Sequence, residues 1–124
     1  MNPLAKRRIL VVDDDPGNLE LARRMLGRLP GVEVATASSG PDCLWIAERE
    51  AYDTVLMDIN LPRLNGMIIC GVLRRMPGYD TARIIACTAH GTAGGLEDLV
   101  ALGFDGLLRK PFLVRQLYDA LSLS

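Results

Sequence analysis

The chain is poor in the residues that most transition-metal and redox sites use. It has one histidine, His90, and three cysteines, Cys43, Cys70 and Cys87, among 124 residues. An odd number of thiols, scattered without ligand spacing inside apolar patterns, argues against a disulfide framework or a thiolate metal site. The three are expected to be reduced, buried small hydrophobes. An excess of one charge is also lacking. Fourteen Lys and Arg against 15 Asp and Glu leave a net charge of −1 and a pI near 5.8, so no basic surface advertises nucleic acid or an anionic membrane. No apolar run is long enough to span a bilayer. Lys6-Arg7-Arg8 is followed by only four apolar residues before three aspartates, which is not the pattern of a signal peptide. A cytoplasmic protein is expected, with no membrane and no direct nucleic-acid partner. No Gly-x-Gly-x-x-Gly follows the first apolar run, which excludes the dinucleotide-binding fingerprint. There is no Pro/Gly/Ser-rich linker and no low-complexity tract. Residues 1–124 are therefore expected to form a single domain with its core over about 7–122.

What the chain does have is a set of short apolar runs that each stop on a residue able to do chemistry. Val55-Leu56-Met57 stops on Asp58. Ile9-Leu10-Val11-Val12 stops on Asp13, Asp14 and Asp15, Ile84-Ile85-Ala86-Cys87 on Thr88, and Leu107-Leu108-Arg109 on Lys110. Such runs are too short for helices and read as strands buried on both faces. In an open parallel α/β sheet, ligands bind outside the carboxyl ends of the strands, where strand order reverses. Acids, a hydroxyl and an ammonium would meet there.

Between these runs the apolar spacing turns helical. Asp15 or a neighbour can cap a helix opening at Pro16, with Leu19, Ala22, Met25, Leu26 and Leu29 inward and Pro30-Gly31 as its stop. Val32, Val34 and Thr36 alternate with Glu33 and Ala35 as a less buried strand, which suits a sheet edge. Ser39-Gly40-Pro41 opens a second helix to about residue 50, with Leu44 and Ala47 inward and Trp45 packed. A third helix, to about Met76, carries Ile69, Val72 and Leu73 and is closed by Pro77-Gly78. The three glycines of residues 90–95 imply a mobile lead-in to a fourth helix, which ends at Gly103. A last helix over about 112–121 offers Leu113, Leu117, Ala120 and Leu121 to the core. Strand then helix, five times over, is the α/β signature with helices on both faces of the sheet.

Carboxylates crowded at neighbouring strand ends repel, by about 4 kcal/mol for two charges ~4 Å apart at an effective dielectric near 20. Such a cluster needs a cation. With oxygen ligands and no histidine or thiolate, Mg²⁺ (or Mn²⁺) is favoured, and its shell is readily completed by a phosphoryl oxygen. A carboxylate beside such an ion can attack a phosphoryl group to give an aspartyl phosphate. Lys110 and Thr88 can then supply a charge and a hydroxyl to its oxygens.

Val11-Val12-Asp13-Asp14, Leu56-Met57-Asp58, Leu61-Pro62 with Asn65-Gly66, Thr88-Ala89 and Lys110-Pro111-Phe112 together resemble the receiver domain of two-component response regulators. The intervals from Asp14 to Asp58, Asp58 to Thr88 and Thr88 to Lys110 are 44, 30 and 22 residues, as in that family. Asp15-Pro16 with Asn18 leans towards stand-alone receivers and those of hybrid kinases. The resemblance implies a flavodoxin-like doubly wound (βα)5 sandwich whose parallel five-stranded sheet has the order 2-1-3-4-5. It further implies that Asp58 is the phosphoacceptor. Asp14, Asp58 and the backbone carbonyl of Asn60 would ligate Mg²⁺, and Asp13 would act through water. Thr88 would bind the phosphoryl group and move on activation, Lys110 would pair with it, and the Lys110-Pro111 bond would be cis. The donor would be a histidine kinase or a histidine phosphotransfer protein, and a downstream protein would read the surface of the fourth helix, fifth strand and fifth helix.

Two positions depart from the family pattern. Leu107 stands at the switch position where many receivers carry Tyr or Phe, and Ile68 where the family often has Glu. His90, two residues beyond Thr88, could touch the phosphoryl group or a hydrolytic water, or be a solvated loop residue, the reading favoured here. The competing readings are a small Mg²⁺-dependent phosphohydrolase that uses a strand-end aspartyl nucleophile, and a receiver used only for docking. The chain is short for the hydrolase's substrate cap, and all five site positions are filled, so a phosphorylated signalling module rather than a turnover enzyme is expected.

Overall fold

The computed structural model describes residues 7–61, 65–89 and 96–121; the expectations for His90, the glycine-bearing stretch to residue 95 and the turn at 62–64 lie outside them. Ten elements alternate in the order β1 (Arg7–Val12), α1 (Pro16–Gly27), β2 (Val32–Ala37), α2 (Gly40–Arg49), β3 (Thr54–Asp58), α3 (Gly66–Arg74), β4 (Arg83–Thr88), α4 (Leu96–Ala101), β5 (Gly106–Arg109) and α5 (Val114–Ala120). The strands form one sheet, β2-β1-β3-β4-β5, and all four pairings are parallel. The chain thus winds to one side of β1 first and to the other side afterwards, leaving a crevice between the ends of β1 and β3.

Period-two alternation along the central strands divides the core. Ile9, Val11, Leu56, Ile85 and Leu108 pack with Ala22 and Leu26 of α1 and Leu117 of α5. Leu10, Val12, Val55, Met57, Ile84 and Ala86 pack with α2, α3 and Leu99 of α4. Two helices therefore cover one face and three the other, and the central strands are apolar on both, as their unbroken runs require. The three thiols are free and buried. Burial pushes Cys43 and Cys87 up to about 12 and Cys70 to about 11, so none is a thiolate at neutral pH.

Local chemistry sets the helix starts. Asp15 caps α1, its carboxylate accepting from Gly17 N at 2.8 Å, and Ser39 caps α2 by accepting from Asp42 N at 3.2 Å. Gly103, with φ of 110°, takes the left-handed turn that ends α4.

Three packing expectations fail, all on helix surfaces. Trp45 is 57% exposed, Val72 41% and Leu113 71%. Val72 and Leu113 are expected at the core by their helical spacing and Trp45 as packing, but no element among the described residues covers these positions. Trp45 instead stacks with the Arg49 guanidinium 3.7 Å from its ring centroid. Leu113 is the N-cap residue of α5 and precedes the stretch that packs.

Candidate functional site

The sheet register brings the residues that end the strands to one edge. Val12 is level with Met57, Asp58 with Cys87, and Thr88 with Arg109, so Asp13, Asp58, Thr88 and Lys110 stand in a row. Main-chain bonds tie the row together: Ile59 N donates to Cys87 O at 3.0 Å, and Lys110 N to Thr88 O at 2.8 Å. The Lys110-Pro111 peptide is cis.

Asp13, Asp14 and Asp58 each present a carboxylate oxygen within 4.8 Å of the others. Asp13 and Asp58 are 4% and 5% exposed, whereas Asp14 faces solvent. Each buried carboxylate is oriented by several donors. Asp13 accepts from Asp15 N at 2.9 Å, Asn18 Nδ2 at 3.2 Å and Lys110 Nζ at 2.5 Å. Asp58 accepts from Asn60 N on Oδ1 at 2.8 Å and from Lys110 Nζ on Oδ2 at 3.2 Å. Burial by itself would lower the Lys110 pKa, but hydrogen bonding and charge attraction from Asp13, and then Asp58, raise it above the ordinary lysine value. Lys110 is therefore cationic at neutral pH. One ammonium against three carboxylates leaves negative charge in a largely dehydrated place. The donors are all oxygen, two of them fixed, and they fit a hard divalent cation such as Mg²⁺ better than a softer metal. Asp15 stands apart from this cluster, because its carboxylate is used in capping α1.

Thr88 is 1% exposed, and its hydroxyl oxygen accepts a 3.0 Å hydrogen bond from Asn60 Nδ2. The turn after Asp58 is kept tight by Gly66, since a Cβ there would lie 2.5 Å from Asp58 O and 2.8 Å from Ile59 Cα, both backbone atoms. Asn65 caps α3, accepting from Ile68 N at 3.1 Å. The Asn65-Gly66 pair thus lets α3 start hard against the strand that bears Asp58. Leu107 does not join the group. It lies in β5, level with Ala86, half-buried against the core beneath α2, α3 and α4.

Two contributors escaped the sequence reading. The sequence gives Asn60 a role only through its backbone carbonyl and Asn18 only a family likeness, whereas in the structure their side chains bond Thr88 and Asp13. A carboxamide two residues beyond a strand-end acid was the available signal for the first; for the second, it was an i+5 carboxamide on the helix that follows. Beside Asp13 and Lys110 lies a cavity of about 380 Å³, mainly apolar, between Leu21 and Ala22 of α1 and the Pro111-Phe112 turn.

Across residues 9–122 the chain matches the family described as the response regulator receiver domain. The chain belongs to that family. This receiver domain is 32% identical over 113 residues to the signal transduction histidine-protein kinase BarA of Escherichia coli K12, covering 91% of the chain and 12% of BarA. Chemotaxis protein CheY4 of Vibrio cholerae has the same fold, with a TM-score of 0.89 at 27% identity, covering 96% of this chain and 98% of that one. The receiver domain of sensor histidine kinase PA1611 from Pseudomonas aeruginosa is 34% identical with a TM-score of 0.84, covering 96% and 97%. That structure has a magnesium ion coordinated in its active site cleft. The chain is thus a two-component signalling module with a CheY-like flavodoxin fold, outside the classical enzyme families. Among the described residues, no helix is long and apolar enough to cross a membrane.

Proposed function

We propose that this receiver domain takes a phosphoryl group onto Asp58 from the phosphohistidine of a histidine kinase or histidine phosphotransfer protein, and so changes the α4-β5-α5 surface that a downstream protein reads. The observation that carries this reading is the Asp58 carboxylate itself. It is buried at the end of β3, with one oxygen on Asn60 N and the other on Lys110, inside a cluster of three acids.

An Asp58 oxygen attacks phosphorus. The new P–O bond forms as the P–N bond breaks, and the imidazole nitrogen leaves with that electron pair. Asp14, Asp58 and the Asn60 carbonyl, with Asp13 through water, would hold Mg²⁺ (or Mn²⁺), which would supply charge neutralisation to the phosphoryl oxygens. Lys110 adds a fixed positive charge and Thr88 a hydroxyl, each reaching the site from its own strand end. The apolar cavity beside Lys110 suits the flank of a protein donor, which must bring its histidine over a dehydrated surface. Leu107, with Thr88, occupies the switch position. Slow hydrolysis of the acyl phosphate would reset the domain without making it a turnover enzyme.

Phos-tag electrophoresis after incubation with acetyl phosphate and Mg²⁺ tests the reading. The wild-type chain is expected to shift and Asp58→Asn to stay unshifted. An unshifted wild type, or an acyl phosphate mapped by mass spectrometry to Asp13 or Asp14, overturns it.

A further inference from the structure

We propose that Arg74 anchors the carboxyl end of α4, so that a change of state swings the helix about Gly103 with its amino end moving most. Arg74 is the last residue of α3, its side chain is mostly buried, and its guanidinium holds three segments together. Nε and Nη2 both donate to Gly103 O, at 2.8 and 2.6 Å. Nη2 also donates to Asp105 Oδ2 at 2.8 Å, and Nη1 to Tyr79 O at 2.8 Å and Ala82 O at 2.6 Å. The grip is close, because a Cβ on Gly103 would lie 3.2 Å from Arg74 Cγ. Asp105 is fixed in turn to β4, its Oδ2 accepting from Ile84 N at 2.8 Å and its N donating to Ile84 O at 2.7 Å. Gly103 N to Val100 O and Phe104 N to Leu99 O, each at 3.0 Å, close the helix in the Schellman pattern. The end of α4 and the start of β4 are thereby one braced unit.

The body of the helix is held differently. From Glu97 to Ala101 only Leu99 is buried, and few buried apolar contacts make a segment inexpensive to displace. The two ends also differ in their distance from the site. α4 follows β4 and returns to a parallel β5, so its amino end lies at the sheet edge that carries Asp58 and Thr88, and its carboxyl end at the opposite edge. Ile84, beside the clamp, lies four residues before Thr88 in β4, about 13 Å of strand. A disturbance at the site therefore reaches the less restrained end first and meets a fixed end far from its source. That is a hinge arrangement, with an element-terminal residue absorbing the backbone change. The trigger rests on the phosphoacceptor role proposed for Asp58, whereas the anchor does not.

Amide exchange followed residue by residue by NMR on the full chain, with and without beryllofluoride and Mg²⁺, tests this. In wild type, beryllofluoride is expected to change exchange at residues 97–101 and to leave Phe104 and Asp105 unchanged. Arg74→Lys keeps the charge but replaces the planar fork with a point charge that cannot grip three segments at once. Without beryllofluoride, Phe104 and Asp105 are expected to lose about tenfold in protection in this variant, the scale of one charged hydrogen bond, while amides of β1 and β3 lose much less. With beryllofluoride, the response is expected to spread to residues 103–105. Asp105→Asn, a milder loosening, should give the same spread in smaller measure and serves if Arg74→Lys does not fold. An equal response at 97–101 and 103–105 in wild type, or one confined to 97–101 in both variants, overturns the proposal. A merely structural Arg74 would lower every slowly exchanging amide alike, and that result overturns it too. Unchanged protection of Phe104 and Asp105 in Arg74→Lys removes the anchor, whereas no beryllofluoride response anywhere in wild type would instead overturn the assignment of Asp58.

Discussion

Lys110 Nζ lies 3.2 Å from Asp58 Oδ2, bringing together residues 52 positions apart, and the same ammonium is bonded to Asp13. Without a metal, Lys110 offsets the repulsion among three acids. Removing one partner of a buried pair costs about 3–5 kcal/mol, and less where solvent reaches the cluster. Lys110→Met is therefore expected to destabilise the metal-free protein by about 2 kcal/mol, part of which millimolar Mg²⁺ restores. Asp14→Asn should do the reverse, raising metal-free stability by about 0.5 kcal/mol and losing most of the gain from Mg²⁺. Urea unfolding with and without Mg²⁺ checks both, and equal Mg²⁺ stabilisation of Asp14→Asn and wild type would remove Asp14 from the ligand set.

Two glycines of α3 should respond in opposite directions to alanine. At Gly66 the new Cβ would meet the backbone of Asp58 and Ile59, which cannot move without displacing the site. A loss of about 3 kcal/mol is expected, at the upper end for overpacking. At Gly71 nothing lies within 4 Å. There alanine should stabilise by about 0.5–1 kcal/mol, because it restricts the unfolded chain and suits a helix. Denaturant midpoints of the two variants decide the matter, and matching signs would show that the packing is misread.

Alkaline pH should erode stability. Burial raises Cys43 and Cys87 to about 12 and Cys70 to about 11, and raises Tyr79 as well. In the unfolded chain these thiols titrate at about 8.5. A folded pKa above the unfolded one gives a contribution that is complete below the unfolded value and is lost as pH rises through the folded value. Stability should hold to about pH 8.5 and then fall towards pH 12, with Lys110 and Tyr79 adding to the loss above about pH 10. Cys43→Ala should start lower, for want of volume, but decline less steeply. Unfolding midpoints in reducing buffer between pH 7 and 10.5 test this, and parallel curves for the two proteins would contradict it.

The response to phosphorylation should centre on α4 and the segment before it. Leu107 is half-buried against the core and has no ring to swing between solvent and interior. Its burial can shift the balance of two states by less than an aromatic side chain would. Hydrogen exchange with and without beryllofluoride is expected to change over residues 90–101. Protection confined to β5 and α5 would place the switch elsewhere.

How far the sequence reading reached depended on the range of the interaction. Strand ends, the Asp15 and Ser39 caps and the Gly103 stop rest on neighbours within one turn of chain, so residue order was enough to find them. That Asp13, Asp14, Asp58, Thr88 and Lys110 come to one sheet edge was legible because unbroken apolar runs mark strands whose ends a parallel sheet must align. Trp45, Val72 and Leu113 were misread because periodicity identifies an apolar face without revealing whether another element covers it.

The amino-acid sequence alone determined the α/β alternation, the edge character of β2 and which acids, hydroxyl and ammonium share the crevice. Only the tertiary structure decided how they touch. The Asn60 bond to Thr88 crosses 28 residues. Arg74 reaches from α3 to Gly103 O at 2.6 Å, Ala82 O at 2.6 Å and Asp105 at 2.8 Å, bracing the connections on both sides of β4. Neither leaves a local pattern, because hydrogen-bond partners are chosen by distance and direction in the folded chain. Those are settled only once the sheet register and helix positions are in place.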